Sequence, residues 1–198
     1  MSISAQEVKE LRDRSGVGMM DCKKALIEAN GDLEKAFEVL RKNGIAKAQK
    51  KAGRDAKEGS VVAYIHPGAK LGVLLELNCE TDFVANTDDF KDLANDICMH
   101  IAATSPISVK SEDVDSTILD KEKEIYTEQA KQSGKPDAII EKMVEGRLKK
   151  FLQENVLLEQ NFVKDPSKTI TDLITDKVSV LGENIVVNSF SRFQIGEK

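Results

Sequence analysis

A chain of 198 residues has room for one ordinary domain and a small second one. With 40% hydrophobic and 32% charged residues it has enough apolar material for a core, too much for a wholly disordered chain. Residues 1–58 carry 13 basic and 10 acidic side chains and the remainder 16 and 24, so neither part is a strongly basic nucleic-acid surface.

The absence of Trp and the presence of only two Tyr leave few platforms for stacking bases. The longest apolar runs are short, such as Val73-Leu74-Leu75, whereas a membrane-spanning helix needs about 20 residues. The segment Met1–Glu7 has neither a secretory nor a transit pattern, and a cytoplasmic protein is expected. Cys22, Cys79 and Cys98 are odd in number and far apart, which supports neither a disulfide framework nor a zinc site. Twelve Gly and four Pro are few breakers, so long and mostly helical elements are expected.

Ser4-Ala5-Gln6-Glu7 is a capping box, and it predicts a first helix with Ile3, Val8 and Leu11 on one side. Gly16 and Gly18 break it. A second helix is expected over Met19–Ala29, burying Met20, Ala25, Leu26 or their neighbours, and Asn30-Gly31 ends it. Asp32 caps a third helix with Leu33, Ala36, Phe37, Val39 and Leu40 as its apolar set, closed by Asn43-Gly44. Residues 45–58 hold almost no large apolar side chain and read as a partly helical basic linker, with a domain boundary near Gly53. The hydrophobic period then changes from 3.6 to 2. Ser60–His66 and Leu71–Cys79 read as a hairpin around Pro67–Lys70, with Val73, Leu75, Leu77 and Cys79 on one face. After a short loop, Glu80–Asn86, Thr87 caps a helix with Phe90, Leu93, Ala94, Ile97 and Ile101 in helical spacing.

Two helices are expected over 119–133 and 136–153, separated by Ser133-Gly134-Lys135-Pro136. The second carries Ile139, Ile140, Met143, Val144, Leu148, Phe151 and Leu152 on one stripe. A last helix spans Thr169 to Gly182, and Ile185–Gln194 is an alternating strand. The fold class is α+β: three N-terminal helices over 1–53, then a core over 54–198 with a small antiparallel sheet packed with helices and a helical hairpin insertion at about 119–153.

Signatures of catalysis are missing. Gly16-Val17-Gly18 lacks the rest of a phosphate loop, and no Gly-x-Ser-x-Gly elbow occurs. His66 and His100 are distant from each other, have no paired nucleophile, and read as surface residues. An enzyme using Asp82 with a histidine is therefore disfavoured, as is an RNA binder using the Lys47–Lys57 run, which reads as a solvated linker. Two segments stand out. Met19-Met20 are either core plugs or a flexible apolar contact surface beside Lys23 and Arg12. Phe83, behind Asp82, is either a loop anchor dipping into the core or an apolar wedge offered to a partner.

Leu11-Arg12-Asp13-Arg14-Ser15-Gly16-Val17-Gly18-Met19-Met20-Asp21-Cys22-Lys23-Lys24-Ala25-Leu26, then Asn30-Gly31-Asp32, resembles the N-terminal signature of the translation elongation factor Ts family. Asn78-Cys79-Glu80-Thr81-Asp82-Phe83-Val84-Ala85 resembles its second signature, and Val144–Phe151 and Leu157–Gln160 its later ones. Ser15 stands where Thr is usual, Val17 where Ala is common, and Asn161 where Pro is frequent. The resemblance runs from about residue 4 to the C-terminus and is to the short form with one core copy. It implies a ubiquitin-associated-like N-terminal module that docks on the nucleotide-binding domain of elongation factor Tu through Arg12, Met19, Met20 and Lys23. It also implies that Thr81, Asp82, Phe83 and Val84 disturb the magnesium and phosphate contacts of Tu, so that GDP leaves and GTP replaces it. Tu is the implied partner. No cofactor, metal, membrane or direct nucleic-acid contact is expected. A sheet of about three strands leaves edges exposed, and one core copy cannot present paired half-cores, so a homodimer through the core is expected.

Overall fold

The Ser4 hydroxyl accepts the Glu7 backbone N–H at 3.2 Å, and the Glu7 carboxylate accepts the Ser4 N–H at 2.7 Å. Helix α1 (Ala5–Ser15) therefore starts where the capping box predicts. The computed structural model describes residues 3–132 and 134–197; Met1 and Ser2 of the N-terminal reading, Ser133 of the predicted turn, and Lys198 lie outside the described residues. By packing, the chain divides into two compact units. One comprises Met1–Val61, Glu76–Ala94 and Asp172–Val186; the other comprises Val62–Leu75, Asn95–Thr171 and Val187–Lys198.

In the first unit, α1 ends at Gly16, whose φ of 67° is left-handed and whose N–H reaches the Arg12 carbonyl at 2.8 Å. Helices α2 (Met19–Glu28) and α3 (Leu33–Lys51) follow. Asp32 caps α3 by accepting the N–H groups of Glu34 and Lys35, both at 3.1 Å. Val8, Leu11, Leu26, Ala36 and Leu40 belong to the buried cluster of this bundle, with Ile3 packed against it. Two expectations are corrected. The buried side of α2 is Cys22, Ala25 and Leu26, with Ala29 following at helical spacing; Met20 lies off that stripe, 65% exposed. Nor does α3 close at Asn43-Gly44. Gly44 is buried, and a β-carbon there would lie 3.1 Å from Ser179 Oγ. The glycine serves a close approach rather than a helix end, and Ala46, Lys47, Ala48 and Gln49 are good helix formers that carry α3 onward.

Strands β1 (Glu58–Ile65) and β2 (Leu71–Cys79) form the expected hairpin, with the His66 N–H on the Leu71 carbonyl at 2.9 Å. Val73, Leu75, Leu77 and Cys79 are all buried. Strand β5 (Ile185–Gln194) lies on the other side of β2, giving an antiparallel sheet of order β1-β2-β5. After a one-turn helix, α4 (Asp82–Ala85), comes α5 (Asp88–Thr104), which starts where the Thr87 hydroxyl accepts the Phe90 N–H at 3.3 Å. Its predicted apolar stripe is buried throughout.

In the second unit, α6 (Ser116–Lys131) and α7 (Asp137–Asn155) form the helical hairpin around Ala130, Ile140 and Val144, with Tyr126, Met143 and Leu148 packed against them. Ile139, assigned to the α7 stripe from its spacing, is exposed. An unanticipated pair of short strands follows, β3 (Asn161–Phe162) and β4 (Asp165–Thr169). Helix α8 (Ile170–Leu181), which belongs to the first unit from Asp172 onward, then ends at Gly182, with φ of 81°. Eight helices and a small sheet among the described residues make the fold α+β.

His100 is a further correction, because it is fully buried rather than on the surface. Its Nδ1 accepts the Val163 N–H at 3.2 Å, which leaves Nε2 to donate to Gln160 Oε1 at 2.9 Å. Both ring nitrogens are thus satisfied in the neutral form, and burial lowers the imidazole pKa. The three cysteines are free and buried, and burial pushes the Cys98 thiol up to about 11. No helix among the described residues is long and apolar enough to cross a membrane.

Candidate partner-binding site

The segment read as a loop after β2 is a single helical turn. Thr81 is its N-cap, with Oγ1 accepting the Val84 N–H at 3.4 Å. The turn sorts its side chains sharply. Val84 and Ala85 are buried, while Asp82 is exposed and Phe83 is 82% exposed. Phe83 is therefore no anchor; Val84 takes that place. The Asn86 side-chain amide donates to the Asp82 carbonyl at 2.9 Å. Among the described residues nothing pairs with the Asp82 carboxylate.

Two glutamates hold this turn. Glu183 Oε2 accepts the backbone N–H groups of Glu80 at 3.1 Å and Thr81 at 2.9 Å, and its Oε1 accepts the Thr81 hydroxyl at 2.7 Å. Glu80 Oε1 accepts the Asn184 N–H at 2.7 Å, with Arg54 at 3.5 Å from its other oxygen. The Asn184 side chain donates to the Arg54 carbonyl at 2.9 Å. The Asn184 N–H, followed by the charge of Arg54, holds the Glu80 carboxyl below the usual carboxylate range. Sequence reasoning missed Glu183. A single glutamate after a helix-ending glycine carries no signal that its partners lie 102 residues earlier.

A second exposed surface starts α2. Met19 is 45% exposed, Met20 still more so, and Lys23 and Arg12 are exposed. Met19, Met20 and Lys23 line one shallow hollow with Ile3, Ala5 and Val8; Arg12 lies outside that lining. Gly18 supplies no side-chain cap, and the helix starts on main-chain bonds from Asp21 and Cys22 to the Gly18 carbonyl at 3.0 and 3.1 Å. Lys47 holds Asp21 at 2.6 Å, which fastens α2 to α3 and lowers the Asp21 pKa.

The groups on offer are a phenyl ring, two thioethers, an unpaired carboxylate and two cations. His66 is at the surface with the Tyr64 hydroxyl at 3.0 Å, and both nitrogens of His100 are occupied. Among the described residues no cluster of three or more His, Cys, Asp or Glu could hold a metal ion. Exposed apolar groups with charges beside them are of the kind that recognise another macromolecule, and here an α+β fold presents them. The sequence model described as Elongation factor TS matches residues 27–197. The chain is 62% identical over 197 residues to elongation factor Ts of Fervidobacterium nodosum, covering 100% of both chains. It is 58% identical over 195 residues to elongation factor Ts of Caldanaerobacter subterraneus subsp. tengcongensis, covering 98% of each. It is 59% identical over 195 residues to that of Thermosipho melanesiensis, covering 98% of this chain and 100% of the relative. The chain belongs to the elongation factor Ts family, and hence to the factors of translation elongation.

Proposed function

We propose that this chain is a guanine nucleotide exchange factor for elongation factor Tu, working in the cytoplasm without covalent chemistry of its own. The observation that carries the reading is the outward Phe83 ring beside an unpaired Asp82 carboxylate, on a turn anchored by Val84. An exchange factor must bind nucleotide-free Tu more tightly than Tu·GDP. By linkage, GDP then weakens its binding by the factor with which it weakens that of GDP. Magnesium neutralises diphosphate charge, so disturbing its shell weakens GDP without any pull on the base. Phe83 supplies apolar area and stiffness, Asp82 a charge that competes for the magnesium shell, and Thr81 and Val84 hold the pair in place. Residues 1–53 dock on the nucleotide-binding domain through Arg12, Met19, Met20 and Lys23, and residues 54–198 supply exchange and pairing. Release of a fluorescent GDP analogue from purified Tu tests this. Acceleration by catalytic amounts of the chain supports the proposal, and an unchanged rate removes it.

The same reading includes a homodimer. The outer strands of the sheet are β1 and β5. Ile65, Leu74, Phe193 and Ile195 are exposed around one groove on the second unit. A second copy related by a two-fold axis would cover this apolar surface and the strand edges with the same patch used twice. Light scattering at micromolar concentration tests it: twice 21.8 kDa supports the dimer, and a mass of 21.8 kDa removes it.

A further inference from the structure

We propose that Glu183 is the positioning residue of the Asp82–Phe83 turn: it touches no partner itself and fixes the shape in which Phe83 is presented. The inference rests on the reading of that turn as the exchange wedge. A helix of four residues cannot hold its own geometry, since nucleating one turn is unfavourable. The two strand-end N–H groups before it, and the Thr81 hydroxyl, converge on one carboxylate. Hydrogen bonds to a charged acceptor are roughly twice as strong as neutral ones, and two oxygens taking three donors fix orientation as well as distance. The donated hydroxyl also fixes the rotamer of Thr81, whose oxygen caps Val84. Phe83 lies between those two fixed residues, so its backbone has little freedom left. The return bond from the Asn184 N–H to Glu80 closes the arrangement, with each glutamate holding the segment that bears the other. Among the described residues no cation pairs with Glu183, so the recorded use of its charge is to take these donors.

The test is exchange on Tu·GDP with the full chain and with E183A, E183Q, F83A and the E183A/F83A double variant, varying the concentration of Tu·GDP. E183A is expected to lower the maximal rate about fivefold while the half-saturating concentration stays within about twofold. E183Q should recover most of the rate, because the amide oxygen can accept both N–H groups while its NH2 donates to Thr81. The double variant should be no slower than F83A alone, since a residue that acts through Phe83 has nothing to act on once the ring is gone. Amide exchange at Thr81 should lose protection in E183A and keep it in E183Q. Should E183A not fold, E183D keeps the charge but shortens the reach, and it is expected to fold and exchange slowly. If F83A slows exchange while E183A does not, or if the two losses multiply, the positioning role is overturned and the wedge stands. If F83A exchanges at the parent rate, the wedge reading falls and the positioning role with it.

Discussion

The turn at Asp82–Ala85 and the start of α2 both put large apolar side chains into water, yet they are built by opposite means. Phe83 has two side-chain torsions and sits on a backbone held by a capping threonine and two carboxylates. Met19 and Met20 each have three, and they stand on a helix start with a bare glycine as its N-cap. One surface is ordered on folding, so little ordering remains to oppose binding. In the proposed function the exposed methionines use their rotamer freedom to fit a partner. Stiffness suits a group that must displace something, and softness suits a group that must only stay attached.

The largest effect expected from this contrast is at Phe83. Phe83→Ala should slow GDP release from Tu about tenfold, or about 1.4 kcal/mol, with the urea midpoint unchanged because the ring buries almost nothing in the free chain. A large fall in the urea midpoint would place the ring among the fold's own supports and end the contrast.

At the start of α2 the expected losses are smaller and of another kind. Met20→Ala and Arg12→Ala should each speed dissociation from Tu about threefold, with association little changed. Met20→Leu should leave both rates close to the parent, because an adaptable apolar patch tolerates a volume-conserving swap. Surface plasmon resonance separates the two rates. Should Met20→Leu cost as much as Met20→Ala, the methionine fits a shaped pocket and the patch is not soft.

Much of the scaffold under both surfaces was legible because its signals are local. Ser4, Asp32 and Thr87 announce helix starts through bonds to residues two or three positions on. The alternation from Val73 to Cys79 reports one buried face. Two of the failures, at Gly44 and His100, share a cause: the deciding partner is far along the chain. Asn43-Gly44 has the composition of a helix end, but Ser179 decides what Gly44 is for. His100 is buried because Gln160 and Val163 complete its hydrogen bonds, and nothing near it in sequence says so. The chemistry of the candidate site was visible at Asp82-Phe83, and its outward direction was not. That direction follows from Val84 being buried, and the stiffness of the turn from Glu183.

The smallest expected effect separates the two surfaces by acid. Glu80 has its folded pKa depressed below the ordinary value near 4.5, chiefly by the Asn184 N–H. A carboxylate of that kind stabilises the fold above its unfolded pKa, and the contribution is lost as pH falls through the folded value. The start of α2 hangs on the Gly18 carbonyl, which does not titrate, and its acid-sensitive tie is that of Asp21 to Lys47, which Asp21→Asn removes. Between pH 6 and pH 4, in an Asp21→Asn background, protection of the Asn184 amide, corrected for intrinsic exchange, should therefore fall a few-fold relative to that of the Cys22 amide. In Glu80→Gln the Asn184 amide keeps an oxygen to bond but loses the charge, and its protection should start lower and no longer track pH. Equal loss at both amides in the Asp21→Asn background would mean that acid loosens the whole unit, and that the turn has no separate hold on its own shape.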